Sequence, residues 1–472
     1  MKHPEWNKTK IVCTMGPAVM SKAALHAMAG AGMDVARLNF SHGTHETNAE
    51  AMKLCRAAFS DWGIRPAFLA DMPGPKIRLG SMPGGKTELE KGRRYFIEAV
   101  SSSSDGGTLP LPHKAAFRAL KKGLRVFLSD GTAELLVTKA STNRIECEAL
   151  NSATVRNGGG VNIPEGELAV DAFTRKDEEH LAFATEQGVD FAAISFAASA
   201  RDIEKARRFT RKSGGKAPLL IAKIERAGAL KNLSEIIEAS DGVMVARGDM
   251  GVELPPWRVP FEQKRIIAEC NRQGKPVIVA TQMLESMTSS PRPTRAELTD
   301  VANAVLDGAD AVMLSGETSI GKYPVEAVRT LSRVAREAEL HLSAHLDRDC
   351  GAFDRDASAS AAGAAAMADK LNAAAIVVPV FTGATARCLS NMRVRQPLLA
   401  LCFDGNASRL SLCWGVKPFE CRRPGRDIDA LASAAREAAA TGLAKRGDKI
   451  ILSCSLPGDG RNGRRVTSAF TI

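Results

Sequence analysis

Eight short, predominantly apolar runs constrain this chain more than any other feature. They occupy residues 11–15, 35–40, 67–72, 191–196, 219–224, 242–246, 277–281 and 311–314. Runs without polar alternation belong to strands buried on both faces, the state of a parallel sheet covered by helices. Most are followed by a stretch with helical periodicity, at 22–29, 46–59, 176–187, 202–212, 261–272 and 295–306. Eight βα units place the chain in the α/β class and fit a closed (β/α)8, or TIM, barrel at least as well as an open doubly wound sheet.

One interval breaks the rhythm. Between residues 73 and 170 helical periodicity vanishes, and Gly, Pro and Ser punctuate β-like runs at 94–100, 124–128, 133–138 and 144–149. This predicts a β-barrel lid domain inserted after the third strand, with the Ser101–Gly107 tract as a loop inside it. Past residue 342 an Ala-rich helix at 357–368 and strands at 375–380, 398–403 and 449–453 predict a C-terminal α/β domain. The expected domains are therefore 1–72 and 171–342 for the barrel, 73–170 for the insert and 343–472 for the last domain.

Composition narrows the function. A net charge of +11 calls for an anionic partner. The few aromatics are not interleaved with Lys/Arg clusters as base-stacking platforms require, so nucleic acid is not expected. No apolar signal segment and no run of about 18 apolar residues is present, so the expectation is a cytoplasmic protein without membrane attachment. The ten cysteines form no Cys-x-x-Cys pair and read as reduced core residues, and the eight histidines lack zinc spacing.

Gly80-Ser-Met-Pro-Gly-Gly85-Lys86-Thr87 matches the pattern of a phosphate-cradling P-loop, but no buried strand precedes it and no helix follows, so it reads as a turn in the insert. The informative residues lie at the C-terminal ends of the barrel strands, where loops converge on one mouth. Strand two delivers Arg37, Asn39 and Ser41; strand three delivers Asp71; strand five delivers Lys223 and Glu225. Strand six runs into Arg247-Gly248-Asp249, strand seven into Thr281, and strand eight into Ser315-Gly-Glu317. Lys223 and Glu225 are two apart and share one face of an extended strand. Glu225 and Asp249 suit a hard divalent cation, with Arg37 and Lys223 flanking a phosphoryl group.

These residues stand in stretches that resemble pyruvate kinases over nearly the whole chain. The stretches are Thr9-Lys-Ile-Val-Cys-Thr-Met-Gly-Pro17, Ala36-Arg-Leu-Asn-Phe-Ser-His-Gly43, Ala222-Lys-Ile-Glu225, Asp241-Gly-Val-Met-Val-Ala-Arg-Gly-Asp249, Ala280-Thr-Gln-Met-Leu-Glu-Ser-Met287, Arg292-Pro-Thr-Arg-Ala-Glu297 and Met313-Leu-Ser-Gly-Glu-Thr318. The resemblance implies transfer of the phosphoryl group of phosphoenolpyruvate to ADP, the last step of glycolysis, by a homotetramer. It implies Mg²⁺ or Mn²⁺ on Glu225 and Asp249, and Lys223 stabilising the phosphoryl group and enolate. Arg37 would bind phosphate, and the Gly248 and Asp249 amides the substrate carboxylate. Thr281 would lie beside the enolate carbon, with Ser315 and Glu317 in a proton relay, and Asn39, His42 and Arg78 would meet the nucleotide under a closing lid.

Two departures matter. Asp71-Met72-Pro-Gly-Pro-Lys76 has Lys where many members have Glu, next to a monovalent-cation region matching Asn39, Ser41, Asp71 and Met72. It resembles the subgroup that needs no K⁺, with the Lys76 ammonium supplying the same single charge. Ser195-Phe-Ala-Ala-Ser-Ala200 lacks the basic residue often found after Ser-Phe, which leaves one nucleotide phosphate contact in doubt. In the C-terminal domain, Phe381-Thr-Gly-Ala-Thr-Ala-Arg387 resembles a shortened effector-phosphate loop. Residues 421–472 carry ten basic to five acidic side chains, which suits a sugar-phosphate effector or a merely solvated face. A Mg²⁺-dependent carbon–carbon lyase would use the carboxylates but explains neither Lys223 nor the lid. A catalytically silent effector-binding relative would be expected to lack Lys223, Glu225 or Asp249.

Overall fold

All eight apolar runs are strands: β1 (Lys10–Thr14), β2 (Val35–Asn39), β3 (Ala67–Asp71), β4 (Phe191–Ile194), β5 (Leu219–Ile224), β6 (Gly242–Ala246), β7 (Val277–Ala280) and β8 (Ala311–Leu314). They pair in parallel in chain order and close through β8 against β1. The computed structural model describes residues 6–472 apart from 165, 167–170, 213, 215, 346–354, 404, 406, 423–427, 441 and 457–463. The expected end of the insert at 170 and Cys350 lie outside the described residues. The nine described cysteines are free.

Alternation along the barrel strands builds two cores. Val12, Val35, Leu69, Phe191, Ile221, Met244, Ile278 and Met313 fill the lumen, while neighbours such as Ile11, Leu38, Phe68 and Leu220 pack outward against the helices. Five strands end one or two residues short of their runs, and two of those runs finish at a residue that no strand accommodates: Phe196 (φ 57°) and Thr281 (φ 66°) adopt left-handed conformations. Helices His45–Ser60, Arg175–Glu186 and Arg295–Leu306 each start in a capping box, led by Thr44, Thr174 and Thr294. One box reaches further. Asp177, which caps Thr174 through Oδ2, accepts the Gly74 amide on Oδ1 at 3.0 Å. That bond ties the loop after β3 to the helix after the insert. Gly74 itself has φ 63°, and a Cβ there would press to 2.9 Å on Ser195 and Phe196, so only glycine brings this loop against the end of β4.

The insert is a six-stranded sheet and a two-stranded ribbon around one core that includes Tyr95, Leu109, Val126, Leu135 and Val155. The P-loop look-alike folds as a 3₁₀ turn, Pro83–Gly85, leading into strand Lys86–Leu89. Lys86 is exposed and ion-pairs with Glu88 at 3.0 Å, which confirms the turn reading. The C-terminal sheet has five strands in the order Val416–Glu420, Leu398–Cys402, Ala375–Val380, Lys449–Leu456 and Arg464–Thr471, the last antiparallel. The two unforeseen strands are both edges. Lys417, Pro418 and Glu420 on one, and paired arginines on the other, are the polar and Pro-containing character that edges carry.

Candidate active site

The lumen alternation carries past the apolar layers and becomes polar at the C-terminal ends of the strands. On β2 the sequence Val35, Arg37, Asn39 points inward; on β3, Ala67, Leu69, Asp71; on β5, Ile221, Lys223, Glu225. Parallel register sets Arg37 beside Thr14 and Asn39 beside Asp71. One charge network results. Asp71 receives Arg37 Nε at 2.8 Å and stands 3.1 Å from Lys223 Nζ. Lys223 Nζ also lies 2.8 Å from Glu225 Oε1 and donates to Ser195 Oγ at 2.7 Å. Ser195 in turn donates to the Met72 carbonyl at 2.7 Å, and Arg37 donates to Thr14 Oγ1 at 2.8 Å.

Electrostatics fixes the charge states. Burial works against the Lys223 charge, but Asp71, Glu225 and Asp249 overcome it and hold the ammonium well above its ordinary pKa. Burial would likewise raise Asp71, yet Lys223 and Arg37 outweigh it and keep the carboxyl below its usual range. Glu225 goes the other way. It is fully buried, and desolvation pushes it up against the pull of Lys223. Lys223 is therefore a fixed positive charge rather than a proton donor, and Glu225 is a carboxylate that gains by meeting another cation.

Glu225 and Asp249 fit a divalent metal. Glu225 Oε2 is taken by the Phe196 amide at 2.6 Å, but the buried Oε1 receives no aligned hydrogen bond. Both donors are hard oxygens. Among the described residues no group of three or more His, Cys, Asp or Glu could cage an ion, so any ion here relies on water or substrate oxygens to complete its shell.

Two cavities meet at this mouth. A small one of about 80 Å³ contains Arg37, Asn39, Ser41, Asp71, Lys223 and Glu225. A larger one of about 540 Å³ opens between barrel and insert, where Arg78, Arg156 and Arg226 line it. His42, Lys76, Phe196 and Asp249 line both. The insert is held over this cleft by Asn162, which donates to Glu253 at 3.0 Å. Arg78 donates to the Gly158 carbonyl across the cleft wall at 2.8 Å.

Thr281, Gly248, Ser315 and Glu317 stand outside the linings of both cavities. A helix, Arg247–Glu253, does begin here with Gly248 and Asp249 in its first turn, but the Gly248 amide already donates to Thr281 Oγ1 at 2.8 Å. Arg247 clamps the left-handed Thr281 by its carbonyl at 2.6 Å and pairs with Asp300 at 2.6 Å. Glu317 is fully buried and accepts the amides of Ser315 and Leu284 at 2.7 and 3.0 Å, so its carboxylate ties the end of β8 to the loop after β7. Thr14, Ser195 and Arg226 are site residues that the reading of the strand ends does not name. Continuing the lumen alternation one step, from Val12 to Thr14 and from Ala193 to Ser195, would have found two of them. Arg226 carries no such signal.

Residues 6–328 match the family model "Pyruvate kinase, barrel domain" and residues 358–465 match "Pyruvate kinase, alpha/beta domain". The chain is 40% identical to a pyruvate kinase of Agrobacterium vitis, covering 98% of this chain and 97% of that one. It is 42% identical to pyruvate kinase 2 of Synechocystis sp., covering 87% and 70%. The crystal structure of a pyruvate kinase from Cryptosporidium parvum superposes with a TM-score of 0.92 at 33% identity, over 98% of this chain and 96% of the other. A buried Lys–carboxylate network at the mouth of a lidded barrel, and relatives that match it from end to end, lead to one conclusion: the chain belongs to the pyruvate kinase family.

Proposed function

We propose that the family's reaction, transfer of the phosphoryl group of phosphoenolpyruvate to ADP to give pyruvate and ATP, takes place where the two cavities join. The observation that carries this reading is Lys223, a buried ammonium held charged by three carboxylates in a cavity shared with Arg37. Phosphoryl transfer needs positioned positive charge more than covalent chemistry. Lys223 and Arg37 would flank the phosphoryl group, and Lys223 would also meet the charge that develops on the enolate oxygen. Mg²⁺ or Mn²⁺ held by Glu225 and Asp249 would supply Lewis-acid charge to phosphate and carboxylate oxygens. The Asp249 amide would receive the substrate carboxylate, joined by that of Gly248 once it is released from Thr281. Thr281 would then face the enolate carbon, with Ser315 and Glu317 behind it as the proposed relay. Asn39, His42 and Arg78 would meet the nucleotide, and the insert would exclude water. Pyruvate formation from phosphoenolpyruvate, ADP and Mg²⁺, followed through lactate dehydrogenase, tests the reading. No pyruvate from folded protein would reject it.

Independence from K⁺ belongs to the same proposal. Lys76 lines both cavities beside the region of Asn39, Ser41, Asp71 and Met72, and Gly74, pinned by Asp177, fixes the loop that carries it. A tethered ammonium at this junction provides the single charge a bound K⁺ would bring. Rates in tetramethylammonium and in K⁺ should be comparable, and Lys76→Met should become K⁺-stimulated. Strong K⁺ activation of the parent protein would contradict this.

Three further expectations complete the proposal. Trp257 and Phe261, 75% and 72% exposed, offer an aromatic surface suited to homotetramer contacts. No described helix is long and apolar enough to cross a membrane, and a cytoplasmic setting is proposed from the substrates. The loop at 381–387 enters helix Ala384–Asn391 through a left-handed Gly383 and is the proposed sugar-phosphate effector contact, which thermal-shift screening of phosphorylated sugars would reveal.

A further inference from the structure

We infer that Arg226 binds the terminal phosphate of the nucleoside diphosphate and so takes part in selecting a diphosphate over a monophosphate. The inference rests on the functional reading above and adds to it a residue that the sequence motifs did not single out. Arg226 follows Glu225 directly after β5, and its guanidinium stacks over the Phe196 ring at 5.0 Å. It lines the larger cavity with Phe196, Asp249 and Glu253.

Three observations give it this role. First, it is half-buried in the wall of the larger cavity. Among the described residues no hydrogen bond or ion pair occupies its N–H groups, so a half-buried fork of donors is left for an anion. Second, its place along the cleft is set. Phe196 and Asp249 line both cavities, so the residue stacked on Phe196 sits at the junction. The reacting end of an acceptor must reach the phosphoryl group at this same junction, and in a nucleoside diphosphate that end is the β-phosphate. Third, the loop after β4 brings no cation of its own to the junction, since Phe196 is followed by Ala197, Ala198 and Ser199. Stacking on Phe196 holds Arg226 where that loop itself brings no charge.

Calorimetric titration of the intact protein with ADP and with AMP, without phosphoenolpyruvate, tests this apart from chemistry. Arg226→Ala should weaken ADP about 10- to 100-fold, the worth of a charged hydrogen-bonding pair, and leave AMP nearly unchanged. In turnover it should raise KM for ADP and leave KM for phosphoenolpyruvate at the parent value. Arg226→Gln, which keeps much of the stacking surface, should give the same pattern if the alanine variant folds poorly, and Arg226→Lys should recover part of the ADP affinity. Unchanged ADP affinity in a folded variant, or equal losses for ADP and AMP, would overturn the assignment. A parent that binds ADP over AMP through Arg226 yet forms no pyruvate would instead overturn the functional reading and leave this one standing.

Discussion

Lys223→Met should lower phosphoryl transfer to ADP by about three orders of magnitude or more, the scale of removing a preorganised charge from a phosphoryl-transfer site. The side chain is 11% exposed and reaches Asp71, Glu225 and Ser195 within 3.1 Å. Methionine fills similar volume without charge, so the loss would be electrostatic rather than a cavity effect. The same change leaves Asp71 with Arg37 alone and Glu225 without an ion-pair partner, and breaking one side of a buried pair costs about 3–5 kcal/mol before the carboxylates adjust by taking up protons. The sign of the pH dependence follows. With the ammonium gone, the folded-state pKa values of both carboxyls rise. A carboxyl raised on folding favours the fold below its unfolded pKa, and that contribution is lost as pH rises through the folded value. The melting-temperature gap between variant and parent should therefore widen from mildly acidic to alkaline pH. Turnover near the parent rate, or a gap that narrows with pH, would contradict the network described here.

Glu225→Gln should weaken Mn²⁺ binding at least about tenfold, as read by electron paramagnetic resonance titration. The pH profile of the parent carries a sharper signature. Burial raises Glu225 above its ordinary 4.5, and Lys223 offsets this only in part. A metal must therefore displace a proton from the protonated fraction, so apparent affinity should climb as pH rises and level off once Glu225 is ionised without help. The slope should not exceed one proton per metal for this group, and the glutamine variant should lose it. In the metal-free protein Glu225 contributes stability below its unfolded pKa and loses it as pH rises through the folded value, so added Mn²⁺ should stabilise most at the alkaline end. Parent affinity that is flat with pH, or unchanged affinity in the variant, would remove Glu225 from the metal shell.

The legible parts of this protein are those where burial dictates residue type. Barrel strands covered on both faces are apolar over most of their length, so β1 to β8 stand out. The edge strands Val416–Glu420 and Arg464–Thr471 answer to solvent on one side and blend with loop composition. The same physics exposed half of the site. Arg37, Asp71, Lys223 and Glu225 interrupt otherwise apolar strands at their C-terminal ends, a costly choice in a lumen unless the groups are paired. What remained hidden depends on contacts between distant segments. Nothing local distinguishes Glu317 as a carboxylate consumed by two backbone amides, Asp177 as the anchor of the loop carrying Lys76, or Arg226 as a guanidinium resting on Phe196. Those roles arise only when β4, β5, β7 and β8 are brought side by side.

The barrel mouth is proposed to move a phosphoryl group between two bound phosphate compounds. Phosphorus-31 resonance of the protein with phosphoenolpyruvate, ADP and Mg²⁺ reads that transfer directly. The phosphoenolpyruvate signal should be replaced one for one by the γ-phosphate of ATP, and the Lys223→Met protein should leave both substrates intact. Release of inorganic phosphate in place of ATP, or ATP formation by the Lys223→Met protein at the parent rate, would contradict this proposal.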